Sequence, residues 1–433
     1  MDHSTPVQAA VHKTELLLFF TLLQLSIIVL AARLCGNLAI RWSNSRVVGE
    51  IVAGIVLGPS LFGLLWPQGF QFLFRSTPPE PMAILSQVGL ILLLFQIGLE
   101  FDFSHLREPR NRRAVGRIAL FGLLLPFALG LAFGALSAPL LFPSGNALGY
   151  SLFCATAFSI TALPVLGRIL LDLDLQRTRI GTIAISASAI NDVVGWLLLA
   201  VVSALAVSHF SAQAFAIELL MLALYVVICW WLVRPLLLRL LRRYAAAGEA
   251  LPLDLLGILL AVVFISGMAT FKIGIFAIFG GFMMGVLLHD RPALVAAWRE
   301  KVGHFVSVFF VPIFFTYTGL RTDIGLLEGW PAWGWCILLL ALATLGKFGG
   351  CYVAARWTGM DRTEARAIGM MMNTRGLMEL IVVNVGYDLG VIPQSVFTML
   401  VLMAIVSTVI TTPALKRWLN VGRMAELEQG RAA

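Results

Sequence analysis

Apolar runs of about 20 residues recur along the whole chain, separated by short polar stretches. A membrane-spanning helix needs about 20 mostly apolar residues. On that measure the runs predict about thirteen spans, at 15–34, 47–65, 82–99, 115–142, 148–170, 180–206, 213–240, 253–270, 273–288, 303–320, 333–355, 363–388 and 392–418. Runs eight and nine are separated only by Phe271 and Lys272. The expected architecture is an all-α polytopic membrane protein. Residues 1–14 are expected to be a short N-terminus on the extracellular or periplasmic side, 15–418 the membrane domain, and 419–433 a short cytoplasmic tail.

Charge sharpens this picture. Only 12% of residues are charged and 59% are hydrophobic, against roughly 25% charged in a soluble domain. The net charge of +8 does not point to nucleic acid, because the basic residues lie in short loops between apolar runs. Most of them fall in one set of alternate loops, while the other set holds only Lys13, Arg75, Lys272 and Arg321. The positive-inside rule then puts the N-terminus outside and the C-terminus in the cytoplasm of a cell membrane. The N-terminus lacks the basic start and short apolar stretch of a cleaved signal, so the first run is expected to remain as a span. The five cysteines form no CxxC pair, and the six histidines show no ligand spacing. No HExxH or GxSxG occurs and no loop is long enough for a soluble domain, so neither an enzyme nor a cofactor is expected.

Two pairs of motifs suggest an internal repeat. Gly54 and Gly58 in the second run match Gly281 and Gly285 in the ninth, and Gly98-Leu99 at the end of the third matches Gly319-Leu320 at the end of the tenth. Each pair is seven runs apart, an odd number, so the copies would be inverted across the membrane, over about 47–206 and 273–418. Inverted repeats with an ion site where broken helices meet at mid-membrane are a transporter pattern.

The polar residues inside apolar runs carry the chemistry. The fifth run holds Thr156, Ser159, Thr161 and Pro164, and its counterpart, the twelfth, holds Asn373-Thr374-Arg375-Gly376. Proline removes a helix hydrogen bond, so this pair is expected to be two crossing broken helices. In the sixth run Ser188 and Asp192 are four residues apart, one above the other, with Asn191 adjacent and Gly195 leaving room on the same face. A carboxylate at mid-membrane is costly and reads as functional. It can hold a proton or a metal cation in turn, which is the minimum chemistry of a cation/proton exchanger. Lys347 lies mid-run, and Arg375 and Glu379 are spaced to pair on one helix face. Glu50 sits near a cytoplasmic helix end and reads as interfacial.

Taken together, Gly49-Glu50 through Gly58-Pro59, Gly98 to Asp102, Asn191-Asp192, Gly346-Lys347 and Met372 to Glu379 resemble the cation:proton antiporter-2 superfamily. The branch most similar contains Kef-type potassium/proton systems and plant cation/proton exchangers. The resemblance covers about 15–418 and implies a sodium/proton antiporter-like fold, a homodimer in membrane lipid, and elevator-like motion of a core against a dimerisation domain. It implies that Asp192 binds the transported monovalent cation, potassium or sodium, in exchange for a proton, with Asn191, Ser188, Thr156 and Thr161 around it. Lys347, Arg375 and Glu379 form a supporting charged core. In many members an acid precedes the binding aspartate and pairs with the lysine. Here that position is Asn191, which implies electroneutral exchange and leaves Lys347 either as a helix tether or as a competitor for Asp192. The alternative reading is a cation channel or the pore subunit of a regulated efflux system.

Overall fold

In the computed structural model the described residues are 6–42, 46–76, 78–100, 112–173, 175, 178–207, 212–245, 251–274 and 276–419. They are helical almost throughout, as the apolar runs predict. The tail beyond Leu419, the Phe101-Asp102 end of the third motif and the basic residues Arg107, Arg110 and Arg177 lie outside the described residues.

The first body contains α1 (Pro6–Arg41), α2 (Arg46–Leu57), α3 (Glu80–Leu99), α9 (Leu253–Lys272), α10 (Ala277–Leu288) and α11 (Val311–Arg321). The second contains α4 (Arg112–Leu141), α5 (Ala147–Ser159), α6 (Leu163–Asp172), α7 (Arg179–Val207), α12 (Gly329–Thr344), α13 (Gly350–Trp357), α14 (Arg362–Met372), α15 (Leu377–Asp388) and α16 (Gln394–Leu419). Between them in the chain runs α8 (Ala212–Ile228), extended through a π-helical turn into a basic helix, Arg234–Ala245.

Each predicted run lies on a helix or a broken helix, but the count of thirteen spans does not follow from length and composition. Among the described residues, eight helices are long and apolar enough to cross a membrane, or nine when Pro292–Gly303 and Val306–Leu326, bent by 45°, are taken as one. The remainder are short, such as α10, or broken into half-helices. A half-helix can sit at membrane depth only where its bare ends are covered by protein, and the second body supplies that cover.

The repeat motifs explain how the first body is built. Each GxxxG pair packs against the segment that ends in the other Gly-Leu motif, Gly54 and Gly58 on Gly319 and Gly285 on Gly98. A Cβ added at Gly319 would lie 2.1 Å from the Gly54 carbonyl carbon, and one at Gly58 would lie 2.4 Å from the Gly319 carbonyl oxygen. A Cβ at Gly285 would meet the Phe95 carbonyl at 2.2 Å, and one at Gly98 the Phe282 carbonyl at 2.4 Å. So α2 crosses α11, and α3 crosses α10, backbone on backbone, as small residues allow in membranes.

The outer helices are apolar and little covered. Only 22% of the most apolar stretch of Thr14–Arg41 and 6% of that in Ala216–Tyr244 are buried. Glu50, read as interfacial, is instead buried at 5% exposure on α2. Gly49 beside it lets α1 approach as far as the Cys35 carbonyl, which closes the position off from water.

Gly319→Val should lower the melting temperature in detergent, with a cost of about 1–3 kcal/mol or more from overpacking. Gly116→Ala, with nothing within 4 Å of the added Cβ, should leave it unchanged or higher.

Candidate functional site

Two broken helices cross at the centre of the second body. The first break spans Ile160–Ala162, between α5 and α6, and the second spans Asn373–Gly376, between α14 and α15. They touch directly: the Ala162 N–H donates to the Thr374 carbonyl at 3.0 Å. Pro164 does not sit inside a helix, as the fifth run suggested. It is the second residue of α6, where a missing N–H costs nothing, and the break precedes it. In the second break Gly376 adopts φ 141°, a backbone region that residues with a Cβ avoid.

The crossing leaves two helix C-termini and two helix N-termini facing one another inside the second body. The C-terminal carbonyls of α5 are capped by cations. Arg375 donates from Nη1 to Ala157 O at 2.9 Å and from Nη2 to Phe158 O at 2.8 Å. Lys347 donates to Ser159 O and, at 2.7 Å, to Gly122 O. Both cations are fully enclosed, and both complement the negative end of the α5 dipole. Lys347 stands in a π-helical turn, Leu345–Gly349, between α12 and α13, and such turns re-aim a side chain within a continuing helix. Of the partners open to Lys347 in the sequence, backbone carbonyls are the ones it takes. Arg375, in the break, also binds Glu379 in the first turn of α15, Nη1 to Oε2 at 2.6 Å. Its backbone is fixed by Thr408 of α16, whose Oγ1 accepts from Arg375 N at 3.1 Å and lies 2.7 Å from Arg375 O.

Asp192, Asn191 and Ser188 project from α7 into this region, all at most 2% exposed. Among the described residues, neither carboxylate oxygen of Asp192 has a hydrogen-bond partner, nor do the amide atoms of Asn191 or the hydroxyls of Ser188 and Thr161. The Leu163 N–H, at the N-terminus of α6, faces the Asp192 carboxylate without closing a hydrogen bond. Asp192 lines a narrow cavity with Ile160, Gly195, Trp196, Met378 and Val382. Gly195 does leave room on that face, and the room is taken by Ile160 of the first break. Asn191 lies against Gly122, whose carbonyl Lys347 holds. Thr156 differs from the others: its hydroxyl bonds back to Leu152 O at 2.9 Å, so it offers no free donor.

Buried polar atoms are rarely left without partners. Their concentration around Asp192, beside a helix N-terminus and at a helix crossing, is the arrangement expected of a site that takes a small ligand from water. The oxygens are those a hard monovalent cation accepts, and the carboxylate also accepts a proton. Among the described residues, no group of three His, Cys, Asp or Glu is placed to hold a metal ion. Sequence reasoning missed the unpartnered Asn373 Oδ1 and Thr374 Oγ1 in the second break, and the role of Thr408. The hydroxyl series Ser407, Thr408, Thr411 and Thr412 in an otherwise apolar helix was the signal available.

A family model described as sodium/hydrogen exchanger, transmembrane, matches residues 25–421. Among curated relatives, the Na(+)/H(+) antiporter NhaS4 of Synechocystis is 40% identical over 92% of this chain and 96% of its own length. The Cation/H(+) antiporter 18 of Arabidopsis thaliana is 36% identical over 94% of this chain, which spans 50% of that longer protein. Among solved structures, the sodium proton antiporter MjNhaP1 of Methanocaldococcus jannaschii superposes with a TM-score of 0.62 over 93% of this chain and 98% of its own, at 16% identity, a likeness of fold.

Lys347→Gln should lower thermal stability, because the shorter amide cannot reach both the Gly122 and Ser159 carbonyls. A buried acceptor left bare costs about 1–3 kcal/mol, which a detergent melting curve will read.

Proposed function

This chain belongs to the sodium/hydrogen exchanger family, and from that premise we propose how it exchanges a monovalent cation for protons across the membrane. Asp192 carries both in turn. A protonated Asp192 is neutral and tolerates its enclosed position. A cation replacing the proton keeps the site neutral, so one state never requires a bare buried charge. Oxygens of Asn191, Ser188 and Thr161 complete the cation shell, and water enters with the ion. The observation that carries this reading is the set of unpartnered buried oxygens around Asp192.

Lys347 acts as a tether for α5 rather than as a carrier, because two of its three donors are held by the backbone carbonyls of Gly122 and Ser159. With Asn191 in place of a second carboxylate, one charge leaves for each that enters and exchange is electroneutral. The second body moves as an elevator against the first, which is held in a homodimer through its uncovered apolar helices. The N-terminus is outside and the C-terminus cytoplasmic, in the cell membrane, as the basic loops indicate. The cation is potassium or sodium, and both take oxygen ligands. A channel would pass the cation without moving protons, and the family is one of exchangers.

Asp192→Asn should abolish cation-dependent proton movement in proteoliposomes, by about a hundredfold or more, with thermal stability retained. Near wild-type exchange in that variant would refute the role of Asp192. Exchange by the native protein should be indifferent to a potential imposed with an ionophore. Uptake driven reproducibly by that potential would show charge movement and exclude electroneutral exchange.

A further inference from the structure

The seam between the two bodies is not uniform. Near the depth of Asp192 it is apolar: Trp196 of α7 meets Phe279 and Phe282 of α10, each at 5.6 Å between ring centroids. Such contacts are non-directional and can slide. At the end where α11 finishes, the seam is polar. Arg321, the last residue of α11, donates from Nη1 to Asp388 at 2.6 Å and to Asn384 at 3.2 Å, both on α15. Asn384 in turn donates to the Thr318 hydroxyl of α11 at 2.8 Å. Gln394, opening α16, donates to the Arg321 carbonyl at 3.2 Å. The Arg321 guanidinium lies over the Tyr317 ring at 4.1 Å and near the Tyr387 ring at 5.3 Å, so one aromatic from each body flanks it. Between described side chains, the hydrogen bonds joining the two bodies gather at this end.

We propose that Arg321, with Asp388, Asn384 and Thr318, is a latch that holds the two bodies together at the outer end and opens once per transport cycle. This rests on the two-body motion proposed above. Directional bonds must break before α15 can move relative to α11, whereas the apolar middle of the seam need not. The latch is also weak enough to open. Arg321 and Asp388 are 20% and 27% exposed, so solvent can replace each partner as they part. A cavity of about 360 Å³, lined by Gln24, Arg75, Tyr317, Arg321, Tyr387 and Gln394, adjoins the latch and gives the released side chains space. Because it stabilises the outer-closed arrangement, the latch makes an outside cation see only the fraction of molecules in which it is open.

The test replaces the breakable pair with a removable covalent one. Arg321→Cys and Asp388→Cys are combined, and the thiols are joined by a short bis-methanethiosulfonate bridge in proteoliposomes. Among the native cysteines, Cys154, Cys229, Cys336 and Cys351 are buried and Cys35 is partly covered, and each single variant treated alike reports background. Bridging should reduce exchange about tenfold or more, and reductant should restore it. That restored exchange shows that the variant is folded and active, independently of what Asp192→Asn does. Bridged protein that exchanges at the unbridged rate would mean the two helix ends never part, and the latch would be refuted. In a second variant, Asp388→Asn should lower the half-saturating outside cation concentration by roughly two- to fivefold, the size expected from losing one partly exposed ion pair. An unchanged or raised value would refute the proposal in the same way.

Discussion

The structure depends on one constraint: a backbone group cannot be left bare at membrane depth. Two helices are broken there, and each break exposes carbonyls on one side and N–H groups on the other. The molecule satisfies them by placing charge to match. Lys347 and Arg375 take the carbonyls at the end of α5, the Ala162 N–H takes a carbonyl of the opposite break, and the start of α6 faces Asp192. The cations are thus part of the scaffold of the crossing, and the carboxylate is the charge left without a fixed protein partner.

Much of this was legible in the sequence, for physical reasons. A charge in an apolar run is costly, so Asp192, Lys347, Arg375 and Glu379 stood out individually. The four-residue spacing of Arg375 and Glu379 suggested their pairing, and the pair forms although Arg375 lies in the break ahead of α15. Where the chain breaks was readable only approximately. Proline marks a helix interruption, but its missing N–H is harmless at a helix start, so the gap falls at Ile160–Ala162, ahead of Pro164. The partners of Lys347 were not readable, since main-chain carbonyls carry no sequence signal. Thr156 and Thr161 look alike in sequence, yet one sits inside a helix and bonds back to its own turn while the other sits in the break.

The glycine motifs show a different limit. Their matching order raised the expectation of an internal repeat, but gave no sign that each GxxxG pair packs against the other Gly-Leu segment. That contact is long-range, and it turns two short motifs into the joint between halves. It also gives the first body a rigid character, with backbones in direct contact, against which an apolar seam can slip.

That joint has a consequence for how the protein is made. The groove at Gly54 is filled by α11, and the groove at Gly98 by α10, segments that are synthesised only after most of the second body's first four helices have been made. At about 5–20 residues per second the earlier helices wait on the order of tens of seconds, inserted but unmatched. During that interval their open glycine faces are available to any other small-residue helix in the membrane, including the same helices of a neighbouring nascent copy. Biogenesis of this fold is therefore a problem of keeping the first half apart until the second half emerges to close it.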